Sequence, residues 1–434
     1  MRSLGVGLLL LVALAGWCAA SEEFDFPPPQ FSQGYEYPHV SKPSPRPDWL
    51  VYVDIGVLAA ALGLAAWLAL GRRHRRGLAL LAVFSVLYFG FFRHGCICSV
   101  GAIQNVALAA FGSDYALPMV AGAFFLLPLL FALLFGRVFC AGVCPLGAAQ
   151  EIVLLRPLRV PRWLENGLGV APYVYLGAAV LFAGTGSAFI ICDYDPFILF
   201  YRLAGSRGML VLGLVVLLTA TVIGRPYCRY LCPYGVLLRW LAPFARWRVR
   251  ITPQDCISCH LCAKACPYGA IRAPTPEPGA VPRHVGRGRL AALLALIPVF
   301  VVLGGWLANV GSPILARAHP SVRLANRLWL EEQGRVEAKT EATEAFEQHE
   351  RPTVEAYRTA AAIHARFRVG AWAFGGWLGL VLGIRLVGQA IRRHRSEYDA
   401  DPAACVACGR CYAACPVQPT RENALGLPGA SERS

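Results

Sequence analysis

The sequence predicts a mainly α-helical, polytopic membrane protein of about seven spans behind an N-terminal signal peptide. Three observations carry that prediction. Of 434 residues, 56% are hydrophobic and 15% charged, where a soluble domain carries roughly 25% charge. Apolar runs fall at about 49–71, 77–92, 117–136, 169–191, 208–224, 290–309 and 369–390, close to the ~20 residues that cross a bilayer. Basic residues gather after alternate runs, as they do in the cytoplasmic loops of membrane proteins.

Met1, Arg2 and the apolar stretch Leu4 to Ala15 read as a secretory signal over 1–20, with Cys18, Ala19 and Ala20 ahead of a cleavage point at Ser21. An uncleaved signal anchor is the alternative. Residues 21–48, with Pro27, Pro28, Pro29, Pro38, Pro43, Pro45 and Pro47, read as an extended periplasmic linker. A membrane domain follows over 49–250, in which the run at 77–92 is short and 101–112 is a candidate half-helix or re-entrant piece. Arg72, Arg73, Arg75 and Arg76 follow the first run, and Arg156, Arg159 and Arg162 the third. Arg239, Arg246, Arg248 and Arg250 follow the fifth, and Arg392, Arg393 and Arg395 the last. All four groups share one side if the spans alternate, and that side is cytoplasmic. The net charge of +15 is therefore a topology signal, and no nucleic-acid partner is expected.

Alternation also places 93–100, 192–207 and 310–368 outside. The last of these has mixed charge from Ser321 to Arg368, interrupted by Pro352, and reads as one or two amphipathic helices with Leu324, Leu328, Phe346 and Tyr357 available for packing. The chain beyond the membrane domain divides into a cytoplasmic piece over 251–287, a span over 288–309, the outer helical segment, a span over 369–391, a second cytoplasmic piece over 392–420 and a disordered tail over 421–434.

An internal repeat organises the membrane domain. Gly136-Arg137-Val138-Phe139-Cys140-x3-Cys144-Pro145-Leu146-Gly147 recurs as Gly224-Arg225-Pro226-Tyr227-Cys228-x3-Cys232-Pro233-Tyr234-Gly235. Each copy ends an out-to-in span and is preceded by outer cysteines, Cys96 and Cys98 for the first and Cys192 for the second. Because both copies have the same orientation, the repeat is parallel.

The two cytoplasmic pieces carry the chemistry. Cys256-x2-Cys259-x2-Cys262-x3-Cys266-Pro267 and Cys405-x2-Cys408-x2-Cys411-x3-Cys415-Pro416 both match the bacterial [4Fe–4S] run, whose fourth cysteine ligates the other cluster in two-cluster ferredoxins. The expected sets are Cys256, Cys259, Cys262 and Cys415 for one cluster, and Cys405, Cys408, Cys411 and Cys266 for the second. Three thiolates are expected on a tight loop, with the fourth cysteine opening a helix. The two pieces then form one ferredoxin-like domain assembled from separated segments. Structural zinc uses paired doublets rather than this run. Cys256-x-x-Cys259-His260 is literally a haem-attachment sequence, but it lies inside the better-specified run and on the cytoplasmic side, so no covalent haem is expected.

Cys140, Cys144, Cys228 and Cys232 form two Cys-x3-Cys pairs. A spacing of i, i+4 puts both thiols on one helical face, and the repeat would bring four together. The readings are a further iron–sulfur site, redox-active thiols, or buried cysteines acting as small hydrophobes; recurrence of the whole motif argues against the last. Cys96, Cys98 and Cys192 are candidates for an outer redox or metal site, with His94 or Asp193 as a further ligand, or for a disulfide. The sequence contains no hydrolase triad, Walker loop or dinucleotide fingerprint.

Two GR-x2-C-x3-CP motifs followed by a bacterial ferredoxin run resemble the NosR/NapH-like membrane polyferredoxins, over about residues 49–272. That resemblance implies electron passage between the quinone pool or cytoplasmic donors and periplasmic reductases. The NosR type carries a periplasmic flavin-binding domain ahead of its spans, for which residues 21–48 are too short. No flavin is therefore expected on this chain, and a periplasmic flavin- or haem-binding partner is. The second ferredoxin run, after an added loop and span, departs from the family pattern, and nitrous oxide or nitrate chemistry does not carry over. The expected function is an electron-transfer component in the bacterial cytoplasmic membrane, not a stand-alone enzyme. The alternatives are a reductase for maturation of a copper or cofactor site, and a redox sensor.

Overall fold

The computed structural model describes residues 47–417, apart from 48, 96–97, 113–114, 159, 203–205, 252–255, 276–282, 337–338, 349–351, 391–394 and 396. The predicted signal, nearly all of the linker, Cys96, Arg159, Arg392, Arg393 and the 421–434 tail lie outside the described residues.

The chain is mainly helical. Among the described residues, five helices are long and apolar enough to cross a membrane: Trp49–Gly71, Arg75–Phe92, Trp163–Gly184, Leu290–Val310 and Thr353–Gly388. This is two fewer than the seven spans expected. The runs at 117–136 and 208–224 form shorter apolar helices, Met119–Phe135 of 17 residues and Arg207–Ala220 of 14. Gly136 (φ 72°), directly after the first, takes a left-handed conformation, which the right-handed helix cannot continue through; the second ends at Ala220, and residues 221–224 turn toward the second motif. The expected half-helix is Ser99–Phe111, capped by Cys98.

The two last spans form a hairpin. Cβ atoms placed on Gly304 and Gly375 would run into each other's backbone, and one on Gly379 into Phe300, so the helices meet backbone to backbone, as small residues allow inside membranes. Only 6% of the Leu290–Val310 window is buried within the protein; its solvent is lipid. One continuous helix, Thr353–Ala390, carries the last span outward through residue 368. Beyond the hairpin, Pro320–Glu332 packs Val322 and Ala325 against Ala360, Ile363 and Phe367. Of the residues expected to pack there, Leu328 is fully buried; Tyr357 lies at the cluster edge, its hydroxyl donating to Glu332 at 2.8 Å.

The two ferredoxin pieces join. Ile271–Arg272 pairs antiparallel with Asp399–Ala400, and the short helices Leu261–Ala265 and Arg410–Ala414 pack together. Both loops turn through left-handed residues at matching positions, Ser258 and His260 in one, Ala407 and Gly409 in the other. The fourth cysteines do not open helices, contrary to expectation. Cys266 and Cys415 are extended residues that close the short helices, because the proline after each disfavours a helical conformation at the residue before it.

Candidate functional site

Three cavities each gather four cysteines. The first is lined by Cys256, Cys259, Cys262 and Cys415, with Ile251 and Tyr398. The second is lined by Cys266, Cys405, Cys408 and Cys411, with Tyr268 and Val249. In each, three cysteines come from one run and the fourth from the other. The third, inside the membrane domain, is lined by Cys140, Cys144, Cys228 and Cys232, with Val100 and Phe139. All described cysteines are free. Among the described residues, no three His, Cys, Asp or Glu side chains converge as a single metal ion would require. Four thiols around one cavity are the donor set that a [4Fe–4S] cluster takes.

The second ferredoxin cage is shielded from water, whereas Cys256 and Cys259 of the first are exposed. Burial pushes the Cys405 thiol up to about 12, with Arg137 pulling back. Burial likewise raises Cys408, against the pull of Arg225, and Cys411 and Cys262. Thiols held this way keep their protons until a cation arrives, so loading releases protons. The His260 ring meets the Tyr398 hydroxyl.

The Cys-x3-Cys pairs do not lie on single helices, as their spacing had suggested. Cys140 sits in Phe139–Gly142 while Cys144 is the extended residue before Pro145–Ile152. Cys228 sits in Pro226–Tyr230 and Cys232 precedes Pro233–Leu241. Proline fits the first position of a helix and restarts the chain in a new direction, so each pair straddles a corner. The remaining motif residues interlock across the repeat. Arg225 of the second copy donates to the Cys140 and Ala141 carbonyls of the first and lies 3.5 Å from where Gly147 would carry a Cβ. Arg137 of the first copy has its Nη2 3.7 Å from the same point on Gly235 of the second. Each glycine thus lies against the other copy's arginine, at a distance that a Cβ would still tolerate.

Glu151 joins the membrane domain to the ferredoxin pieces. Its carboxylate pairs with Arg225 at 3.2 Å and Arg410 at 2.6 Å and accepts from the Tyr268 hydroxyl. Burial alone would raise its pKa, but Arg225 and Arg410 together hold it below the ordinary 4.5. Arg137 donates to the Ala403 carbonyl at 3.0 Å and reaches Cys140 Sγ at 3.7 Å. It therefore touches the loop of the second cage and a thiol of the third. Arg73 stacks on Tyr412 at 4.5 Å, which puts the first arginine group on the ferredoxin-bearing face. Sequence reasoning missed Glu151, and no spacing signal could have found it; the arginines were visible in the repeat but their partners were not.

Away from that face, Val100 lines the third cage and donates its N–H to Cys98 Sγ at 3.4 Å. Gln104 Nε2 donates to Cys192 Sγ at 3.3 Å. Cys98 and Cys192 are not bonded to each other, and burial raises them to about 12 and about 11. Asp195 nearby is pushed by burial to about 6. His94 contacts Arg202 and Tyr201 through hydrogen bonds involving its carbonyl and ring. The expected outer and inner cysteines are thus neighbours through Val100, not opposite surfaces of a full-thickness bilayer.

The helical framework and its cysteine cages define a membrane iron–sulfur protein. Two family profiles, each described as a 4Fe-4S binding domain, match residues 117–163 and 207–252, and residues 249–272; the first covers both Cys-x3-Cys pairs. The chain is 30% identical to YccM of Escherichia coli over 171 residues, 35% of this chain and 48% of YccM. It is 30% identical to Protein NirI of Paracoccus denitrificans over 258 residues, covering 51% of this chain and 36% of NirI. It is 31% identical to the Regulatory protein NosR of Pseudomonas aeruginosa over 257 residues, 52% and 36% of the two chains. The matched segment is about half the length of YccM and about a third of the other two. No solved structure matches significantly. The chain is thus distantly similar, over part of its length, to NosR, NirI and YccM.

Proposed function

We propose that the chain passes electrons singly between its ferredoxin-bearing face and the opposite face of the bacterial cytoplasmic membrane, with the ferredoxin pieces on the cytoplasmic side. Cys256, Cys259, Cys262 and Cys415 hold one [4Fe–4S] cluster, and Cys405, Cys408, Cys411 and Cys266 a second. Cys140, Cys144, Cys228 and Cys232 hold a third. The clusters supply one-electron redox chemistry; the protein fixes their order, excludes water and offsets their negative charge with Arg137 and Arg225. A quinol or cytoplasmic reductant is the donor, and a periplasmic flavin- or haem-containing protein the acceptor. The name of YccM, an electron transport protein, agrees with this. So does the arginine group Arg72–Arg76 on the ferredoxin-bearing face, since basic loops stay cytoplasmic.

The observation that carries the reading is the serial contact of the cages. Cys262 and Cys266, on one short helix and its end, line the first and second. Arg137 bridges the second and third, and Val100 joins the third to Cys98. Iron analysis tests it: anaerobically prepared protein should hold about twelve irons per chain, and Cys228→Ser about eight. About eight in the wild type removes the third cluster, and far fewer removes the reading. Reconstituted vesicles with an internal reductant should reduce an external acceptor. Redox-dependent partner binding without electron flow would mark a sensor, and metal-chaperone binding without flow a maturation reductase.

A further inference from the structure

A cavity of about 450 Å³ opens between the ferredoxin pieces and the end of the last span, within the size range of small-ligand sites. Five arginines line it: Arg137, Arg225, Arg229, Arg239 and Arg385. Its carboxylates are already engaged. Glu165 pairs with Arg229 at 2.6 Å, and Asp401 pairs with Arg272 outside the lining. Arg225 is matched by Glu151. Among the described residues, Arg137, Arg239 and Arg385 have no carboxylate in salt-bridge range.

These three charges press on one another. Burial and then the Arg137 charge lower the Arg239 pKa, and Arg385 adds to the effect. Arg385 is held in place by the Asn166 carbonyl at 3.0 Å and the Gly169 carbonyl at 2.5 Å, over the Tyr173 ring at 5.4 Å. Arg137 Nε is buried with no hydrogen-bond partner. Part-buried like charges fixed by carbonyls are unfavourable unless an anion enters, and guanidinium forks match phosphate oxygens.

The position selects the ligand further. Arg385 lies near the ferredoxin-side end of the span Thr353–Gly388, the depth at which lipid headgroups sit. Beside it, Ile384 also lines the cavity and is 56% exposed, an apolar surface for a chain leaving the mouth. We propose that this cavity binds a phosphate-bearing anion, with an anionic phospholipid headgroup or free phosphate as the source. Basic pockets between membrane helices bind such headgroups elsewhere. The cavity shares Arg137 and Cys228 with the third cage, so the arginines varied in the test are Arg239 and Arg385, which line this cavity and none of the three cages.

The test uses the full chain, stripped of lipid in neutral detergent and titrated with short-chain phosphatidylglycerol, phosphatidylcholine and inorganic phosphate, with binding read by native mass spectrometry and thermal shift. Phosphatidylglycerol should bind about tenfold more tightly than phosphatidylcholine, the loss expected for a charge-assisted contact. The Arg239→Gln/Arg385→Gln variant should lose that preference with iron per chain unchanged, and Arg246→Gln should keep it. If the double variant loses iron, Arg239→Lys/Arg385→Lys, which keeps both charges, decides by retaining the preference. Competition by millimolar phosphate identifies the headgroup phosphate as the recognised group; its failure to compete assigns the site to the lipid. Equal binding of the two lipids, or an iron-replete double variant with undiminished preference, overturns the proposal.

Discussion

At the residue scale, the repeated motif is explained by reciprocity. A Cβ on Gly147 would meet Arg225 Nη1 and Cys228 Sγ at 3.5 Å each, which is ordinary contact. Gly147→Ala should therefore leave iron content and thermal stability nearly unchanged. Gly147→Leu must move Arg225 or Cys228, and overpacking of this kind destabilises by about 1–3 kcal/mol. It should also lower iron by about four per chain, measured by colorimetric iron and sulfide assay. The sequence made the glycines and arginines visible as a recurrent pattern. Their pairing was illegible, because the partner of each arginine lies in the other copy, as with Arg225 and Gly147.

At the element scale, two junctions carry distinct predictions. Gly375→Leu should separate the hairpin of the last two spans, where Gly304 and Gly375 meet backbone to backbone; cysteine cross-linking between the helices would report the loss. The second junction is Glu151, whose side chain is 17% exposed. Glu151→Gln leaves Arg225 and Arg410 without their carboxylate, and breaking a buried pair is destabilising by about 3–5 kcal/mol. Hydrogen exchange in Arg410–Ala414 should rise accordingly. The pH response has a definite sign. Because the folded pKa lies below the ordinary 4.5, the contribution is complete above 4.5 and is lost as pH falls through the lowered value. Protection of that helix should hold from pH 7 to about 5 and fall only below, with no such step in the glutamine variant. The short elements here were the least legible: a two-residue strand pair, Ile271–Arg272 with Asp399–Ala400, leaves no periodicity to read, whereas the cysteine spacing named the eight residues that line the first two cavities.

At the scale of the whole molecule, hydropathy found every apolar run but overstated how many cross as full spans. Runs such as 208–224 are apolar enough, yet the helix ends at Ala220 and the chain turns before the second motif, a break that a window average cannot register. The compensation is the eight-residue helix Pro145–Ile152. At its start the Pro145 carbonyl accepts from Tyr201, which packs against the far end of the second span; near its end Glu151 holds the ferredoxin piece. Such a helix is about 12 Å long, against a hydrocarbon layer of about 30 Å.

That short helix has an electrical consequence. Where polar, buried-charge structure replaces lipid on both sides, the transmembrane voltage falls mainly across the remaining thin layer, so the local field there is steeper than in the surrounding bilayer. An electron crossing it moves through most of the membrane potential, at about 2.3 kcal/mol per 100 mV. The rate of electron passage should then vary with an imposed potassium diffusion potential, and turnover itself should charge the vesicle. On the proposed electron-transfer reading, the protein is in this sense a capacitor plate gap as well as a wire.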